Sequence, residues 1–144
     1  MRALDTNVLV YAEVRSTEHH DTALRVLREH AEGSRPWALP WPCAYEFLRV
    51  VTHPGIFDPP VPVDRALADL ERILDSPSLE LLSESPRHRT LMAELVRETE
   101  VSGNLFHDAH IAALCLEHGV RELVTGDRDF RRFPGLDVVD PFGG

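Results

Sequence analysis

Lysine is absent from this chain of 144 residues: all 15 basic residues are arginine. Mechanisms that need a lysine ammonium are thereby excluded. Phosphate-loop NTPases set a lysine on the nucleotide phosphates, and receiver-type phosphorylation domains and haloacid-dehalogenase phosphatases ordinarily carry one too. Cysteine is scarce, with Cys43 and Cys115 the only two. Both fall in apolar, helix-like segments, so core packing is expected rather than a disulfide or a two-cysteine zinc site. Long apolar runs are also missing. No stretch approaches the roughly 18 residues that a membrane-spanning helix needs. No basic segment, hydrophobic region and cleavage site follow one another at the start, so the expected location is cytoplasmic, away from membranes. Finally, 24 acidic residues against 15 basic ones give a formal charge of −9, which argues against a protein that coats nucleic acid through a general basic surface. The excess acid requires a different origin.

The length suits one hydrophobic core, and residues 1–144 are read as a single domain. Short apolar runs alternate with longer segments of helical period, which predicts an α/β layer fold. Arg2, Ala3 and Leu4 form a first short strand that ends at Asp5. Ala23, Leu24, Leu27 and Ala31 recur at helical spacing within residues 20–32. Trp37 to Leu39 reads as a second strand, with Pro42 an early residue of the helix that carries Glu46. Residues 54–62 hold Gly55 and four prolines and must loop. Asp64 is expected to cap the next helix, followed by a third strand at residues 79–82 and a helix opened by Ser85 and Pro86. Asn104 caps an apolar helix that carries Asp108 and is stopped by Gly119. A fourth strand at residues 122–125 precedes Asp127, and residues 136–139 add an edge strand.

Asp5 and Asp127 thus each follow a strand, where open α/β sheets bind ligands. Asp108 and Glu46 sit among apolar neighbours, and carboxylates are rarely buried unless they are paired or hold a metal. Four such acids in a small core repel one another unless protons, arginines or cations intervene. Divalent magnesium or manganese, which prefer oxygen ligands, answer that need and suit phosphodiester hydrolysis. Each acid also has a plainer reading. Asp5 suits a helix cap, Glu46 an ion pair with Arg49, Asp108 the positive end of its own helix, and Asp127 and Asp129 an ordinary turn. The functional reading rests on the set.

The same residues carry a family resemblance. Leu4-Asp5-Thr6-Asn7-Val8-Leu9 resembles the opening of PIN-domain ribonucleases, and Glu46 falls in the corresponding helix. The segment from His107 through Asp108, Ala109 and His110 to Leu114 resembles their third acidic motif, and Thr125-Gly126-Asp127-Arg128-Asp129-Phe130 their closing one. The order spans nearly the whole chain and is most similar to the VapC toxins of toxin-antitoxin pairs. That resemblance implies a three-layer α/β/α sandwich around a parallel sheet of four to five strands. It also implies a homodimer, a VapB-type antitoxin partner, and an RNA endonuclease that uses Mg2+ or Mn2+. Carried over by motif, Asp5, Asp108 and Asp127 would hold metal and Glu46 would hold metal or position water. Asp129 would be an outer ligand, and Asn7 and Thr125 would orient a carboxylate.

Hydrolysis by external water needs no nucleophilic side chain and leaves a 5′-phosphate and a 3′-hydroxyl. An acidic protein still needs local basic groups for RNA, and Arg128, Arg131 and Arg132 are candidates. Trp37, Trp41 and Tyr45 could stack on bases, although their spacing suits core packing as well. Two alternatives stand beside this reading. The pair His107-Asp108 is similar to that of HD-type metal phosphohydrolases, with His19, His20, His53 and His110 as further ligands; those enzymes are all-helical. The other alternative is a catalytically silent PIN-like domain that binds RNA or protein.

Overall fold

The computed structural model describes residues 1–143. Five strands, β1 (Arg2–Leu4), β2 (Trp37–Pro40), β3 (Leu79–Leu82), β4 (Glu122–Val124) and β5 (Asp137–Val139), form one sheet. Its order is β3-β2-β1-β4-β5 and every neighbouring pair is parallel. Between the strands run helices α1 (Thr6–Glu13), α2 (His20–Ala31), α3 (Trp41–Val51), α4 (Val63–Leu74), α5 (His88–Thr99) and α6 (Leu105–Glu117). A short 3-10 helix covers Arg128–Arg132.

The central strands β1, β2 and β4 are covered on both faces and therefore read as short continuous apolar runs. Ala3, Leu4, Trp37, Ala38 and Leu39 are all essentially inaccessible, which requires helices on either side of the sheet. On one hand α1 packs on α2 and α3, and α3 on α4; on the other α5 packs on α6, which reaches β2. Helix α6 is apolar nearly all round, with Ala109, Ile111, Ala112, Ala113, Leu114 and Cys115 buried. Helices of that composition lie inside rather than at the surface.

The chain order decides where a ligand can sit. From β1 it moves outward to β2 and β3, then crosses back to add β4 on the other side of β1. The switch point of the sheet therefore lies between β1 and β4, and the crevice beyond their carboxyl ends is the place where open α/β sheets take ligands. Leu4 pairs with Val124 at the last register position, and the Asp5 amide donates to the Val124 carbonyl at 3.0 Å. Asp5 and Thr125 consequently emerge side by side.

Several expectations change in detail. Pro62 rather than Asp64 is the N-cap of α4, and Asp64 lies in the first turn, where its charge still faces the positive helix end. Helix α5 starts at His88, two residues beyond Pro86. Asn104 precedes α6 as expected but makes no side-chain cap bond. Gly119 ends α6 at φ +73°, a left-handed backbone that favours glycine. Cys43 and Cys115 are buried free thiols. Trp37 lies in the core with its indole N–H donated to Ser76 Oγ at 3.2 Å. The parallel sheet excludes the all-helical HD-type alternative. His20 Nδ1 contacts the Tyr11 carbonyl at 2.8 Å and His19 stacks on Phe142. Among the described residues no helix is long and apolar enough to cross a membrane.

Candidate active site

The turn after β1 and the turn after β4 lock together through three polar side chains. Thr125, fully buried, donates its hydroxyl to Asp5 Oδ2 at 2.7 Å. The same hydroxyl oxygen accepts from Asn7 Nδ2 at 2.9 Å and from the Asp127 amide at 3.0 Å. Asn7 closes the ring by accepting from the Gly126 amide with Oδ1 at 3.3 Å. Asp5 occupies the N-cap position of α1, yet its carboxylate makes no capping bond. Its oxygens instead face Thr125 and the Cys43 thiol, the latter at 3.6 Å from Oδ1. The plain helix-cap reading of Asp5 therefore fails.

Asp127 begins the 3-10 helix, with Oδ1 accepting from the Asp129 amide at 2.9 Å. That turn brings Asp129 back toward Asp127, and Asp108 approaches from the first turn of α6. Carboxylate oxygens of Asp108, Asp127 and Asp129 lie within 4.8 Å of one another. A cleft of about 570 Å³ contains all three together with Asp5, Asn7 and Glu46.

The electrostatics follow from that crowding. Burial raises the Asp5 carboxyl above its ordinary value, with the charge of Asp127 adding to it and the Thr125 hydroxyl opposing it. Asp108 is pushed up to about 6, first by burial and then by the charges of Asp127, Asp5 and Asp129. Glu46 behaves differently. Arg49, one turn on, grips it with Nε at 3.1 Å and a terminal nitrogen at 2.5 Å, and holds it below the usual carboxylate range. Glu46 therefore lines the cleft while paired to Arg49, as its plainer reading expected.

Asp5, Glu46, Asp108 and Asp127 all line the cleft, but the tight group within it is Asp108, Asp127 and Asp129, with Asp5 and Glu46 outside it. Local turn geometry put Asp129 there, and turn geometry is weakly encoded in residue type. Arg128, Arg131 and Arg132 lie exposed on the 3-10 helix that follows Asp127. Arg132 is drawn to Asp129, donating through Nε to its carbonyl at 3.1 Å. Tyr45 is 69% exposed on α3 beside Trp41.

Sequence reasoning missed Cys43 as a neighbour of Asp5, and Tyr11, Ile56, Phe57 and Ile111 as lining of the cleft. Helical spacing held a signal for two of them, since Tyr11 is four residues from Asn7 and Ile111 three from Asp108. Ile56 and Phe57 come from the proline-rich loop, where no periodicity exists to find them.

The donor set is all oxygen, closely spaced and partly enclosed, and mutual repulsion already strains its charges. Those are the properties of a site for a hard divalent cation.

The chain and its fold are similar to known proteins. The PIN domain family model matches residues 2–136. Ribonuclease VapC48 of Mycobacterium tuberculosis is 34% identical over 140 residues, covering 97% of both chains. Ribonuclease VapC37 of the same organism is 35% identical over 141 residues, covering 98% of this chain and 97% of its own. Among solved structures, VapBC2 from Rickettsia felis, bound to a promoter DNA fragment, superposes with a TM-score of 0.70 at 24% identity and 96% coverage of each chain. The sarcin-ricin-loop-cleaving toxin VapC20 of Mycobacterium tuberculosis gives 0.68 at 18% identity, covering 94% and 98%.

Proposed function

This chain belongs to the PIN-domain family, and from that membership we propose that it is a metal-dependent endoribonuclease, the VapC-type toxin of a toxin-antitoxin pair, with residues 1–144 acting as one domain. The observation that carries the reading is the convergence of Asp5, Asp108, Asp127 and Asp129 at the switch point of the sheet. Full-length similarity to VapC ribonucleases supports RNA as the substrate.

The cation is Mg2+ or Mn2+, in keeping with the oxygen-only donors. When bound, it supplies positive charge that activates water and stabilises the developing charge on phosphate and leaving oxygen. Asp108, Asp127 and Asp129 present oxygens to it. Asp5 completes the set from the strand side, its orientation fixed by Thr125 and Asn7. Glu46 is positioned to hold water or metal once Arg49 releases it. Arg128, Arg131 and Arg132 meet the phosphates flanking the scissile bond.

A VapB-type antitoxin is the partner, a reading supported by structural neighbours solved as such complexes, among them the toxin-antitoxin complex of Klebsiella pneumoniae. A homodimer is supported by the exposed Val63 and Leu67, which form one apolar strip four residues apart on α4.

The test joins binding to turnover. Thermal melting of the wild-type protein should rise on adding magnesium or manganese, as mass action requires. Asp5→Asn should lose most of that rise and all detectable RNA cleavage. Cleavage at the wild-type rate by the variant would refute the assignment, and a wild-type protein indifferent to either ion would mark a silent domain.

A further inference from the structure

Away from the acidic cleft, a second group of metal-competent side chains gathers where α5 starts against α6. Glu84 lies in the turn after β3, His88 opens α5, and His110 sits on α6. A ligand atom from each lies within 4.8 Å of the other two. The two imidazoles meet edge to face with centroids 5.6 Å apart. His110 follows Asp108 by two residues, so the helix turns the two side chains about 200° apart and the groups stay separate.

Glu117 supplies an independent observation. It lies two turns beyond His110 on the same face of α6, and its side chain is wholly enclosed. Its Oε2 is 2.5 Å from His88 Nδ1, and its Oε1 accepts from the Ser85 amide at 2.6 Å. A buried carboxylate on Nδ1 fixes the ring and leaves Nε2 facing outward, the arrangement that stands behind metal-bound histidines. Ion pairing alone explains His88 with Glu117. It does not explain why a second imidazole and a second carboxylate, joined at 2.7 Å between His110 Nε2 and Glu84 Oε1, converge on the same ring. Glu84 and His110 are open enough to solvent for an ion to enter.

We propose that Glu84, His88 and His110 form a second metal site, for a borderline transition ion of the zinc class, with Glu117 as its orienting carboxylate. Two imidazoles and one carboxylate suit zinc and its neighbours, whereas the oxygen-only cleft suits magnesium or manganese. Ligand atoms in a tetrahedral zinc site stand roughly 3.3 Å apart, and Glu84 Oε1 lies 2.7 Å from His110 Nε2, so that contact opens slightly as an ion enters between them. The bound ion would tie the start of α5 to the middle of α6, the helix that also presents Asp108.

Zinc is titrated into the full chain by calorimetry with magnesium in excess, so that the acidic cleft is occupied. One equivalent should bind, and it should still bind to the double variant Asp108→Asn, Asp127→Asn. Glu84→Gln and His110→Gln should each weaken it at least tenfold, and Glu117→Gln about 10- to 100-fold. Cobalt in place of zinc should give visible tetrahedral absorption that Glu84→Gln removes. Glu84 is a surface residue, so its variant reports on binding even where a histidine variant folds poorly. Absence of zinc uptake in excess magnesium overturns the proposal. So does uptake that vanishes with the cleft variants and survives Glu84→Gln and His110→Gln.

Discussion

Asp108 gathers the consequences of crowding in one carboxyl. Its folded value, about 6, lies above the ordinary 3.8. Ionisation is thus disfavoured by folding: the penalty is complete above about pH 6 and disappears as pH falls below 3.8, where both states are protonated. Without divalent ions, Asp108→Asn should stabilise the protein at neutral pH by on the order of 1 kcal/mol, because solvent screens a half-buried group. Denaturant melts at neutral and acid pH check this, and the gain should fade in acid. The same substitution should abolish stabilisation by magnesium. At subsaturating metal, magnesium uptake by the wild type should weaken as pH drops through about 6, since a protonated carboxyl is a poor ligand. Thr125 makes a complementary case. It touches no substrate in this reading, yet its hydroxyl is the hub that aims Asp5. Thr125→Val should weaken magnesium binding by about 10- to 100-fold, measured from the shift in melting midpoint, and Thr125→Ser should restore it.

At the scale of elements, α6 is the part on which the molecule turns. Its first turn presents Asp108 to the cleft, its middle fills the core, and its last turn places the enclosed Glu117 under α5. Such a helix has little freedom to shift. Leu114→Ala, at a position with no solvent access, should cost about 2–5 kcal/mol in unfolding free energy by denaturant titration. An effect below 1 kcal/mol would mean that α6 tolerates a cavity and does not hold Asp108 by packing. The β4 turn and the 3-10 helix work differently, through short polar bonds from Thr125 and Asp127. They set the direction of Asp129, while Phe130 and Phe133 anchor the segment in the core.

For the whole molecule, the distribution of charge outweighs its sum. The chain carries −9 overall, with part of that acid gathered in one cleft and three arginines on the 3-10 helix that follows Asp127. Replacing Arg131 with Ala should therefore weaken RNA binding without touching the metal response. The slope of log affinity against log salt should fall by about 0.7 if one phosphate contact is lost. An unchanged slope would place the RNA path elsewhere.

Much was legible without coordinates. Apolar runs broken by helical periods specified an α/β layer fold, because burial on two faces demands strands such as Trp37–Pro40, while the parallel sheet was implied by the family resemblance. Asp5 and Asp127 were legible for the same reason, as the first acids beyond β1 and β4, and Cys43 was legible as core but not as a neighbour of Asp5. Only the tertiary structure decided which acids crowd together. Asp108 on α6 came up against Asp127 and Asp129 beyond β4, Cys43 on α3 met Asp5, and Ile56 and Phe57 reached the cleft from a loop. Periodicity is a property of neighbours along the chain, whereas these contacts depend on how separate elements are set in space, and sequence spacing carries no record of that distance.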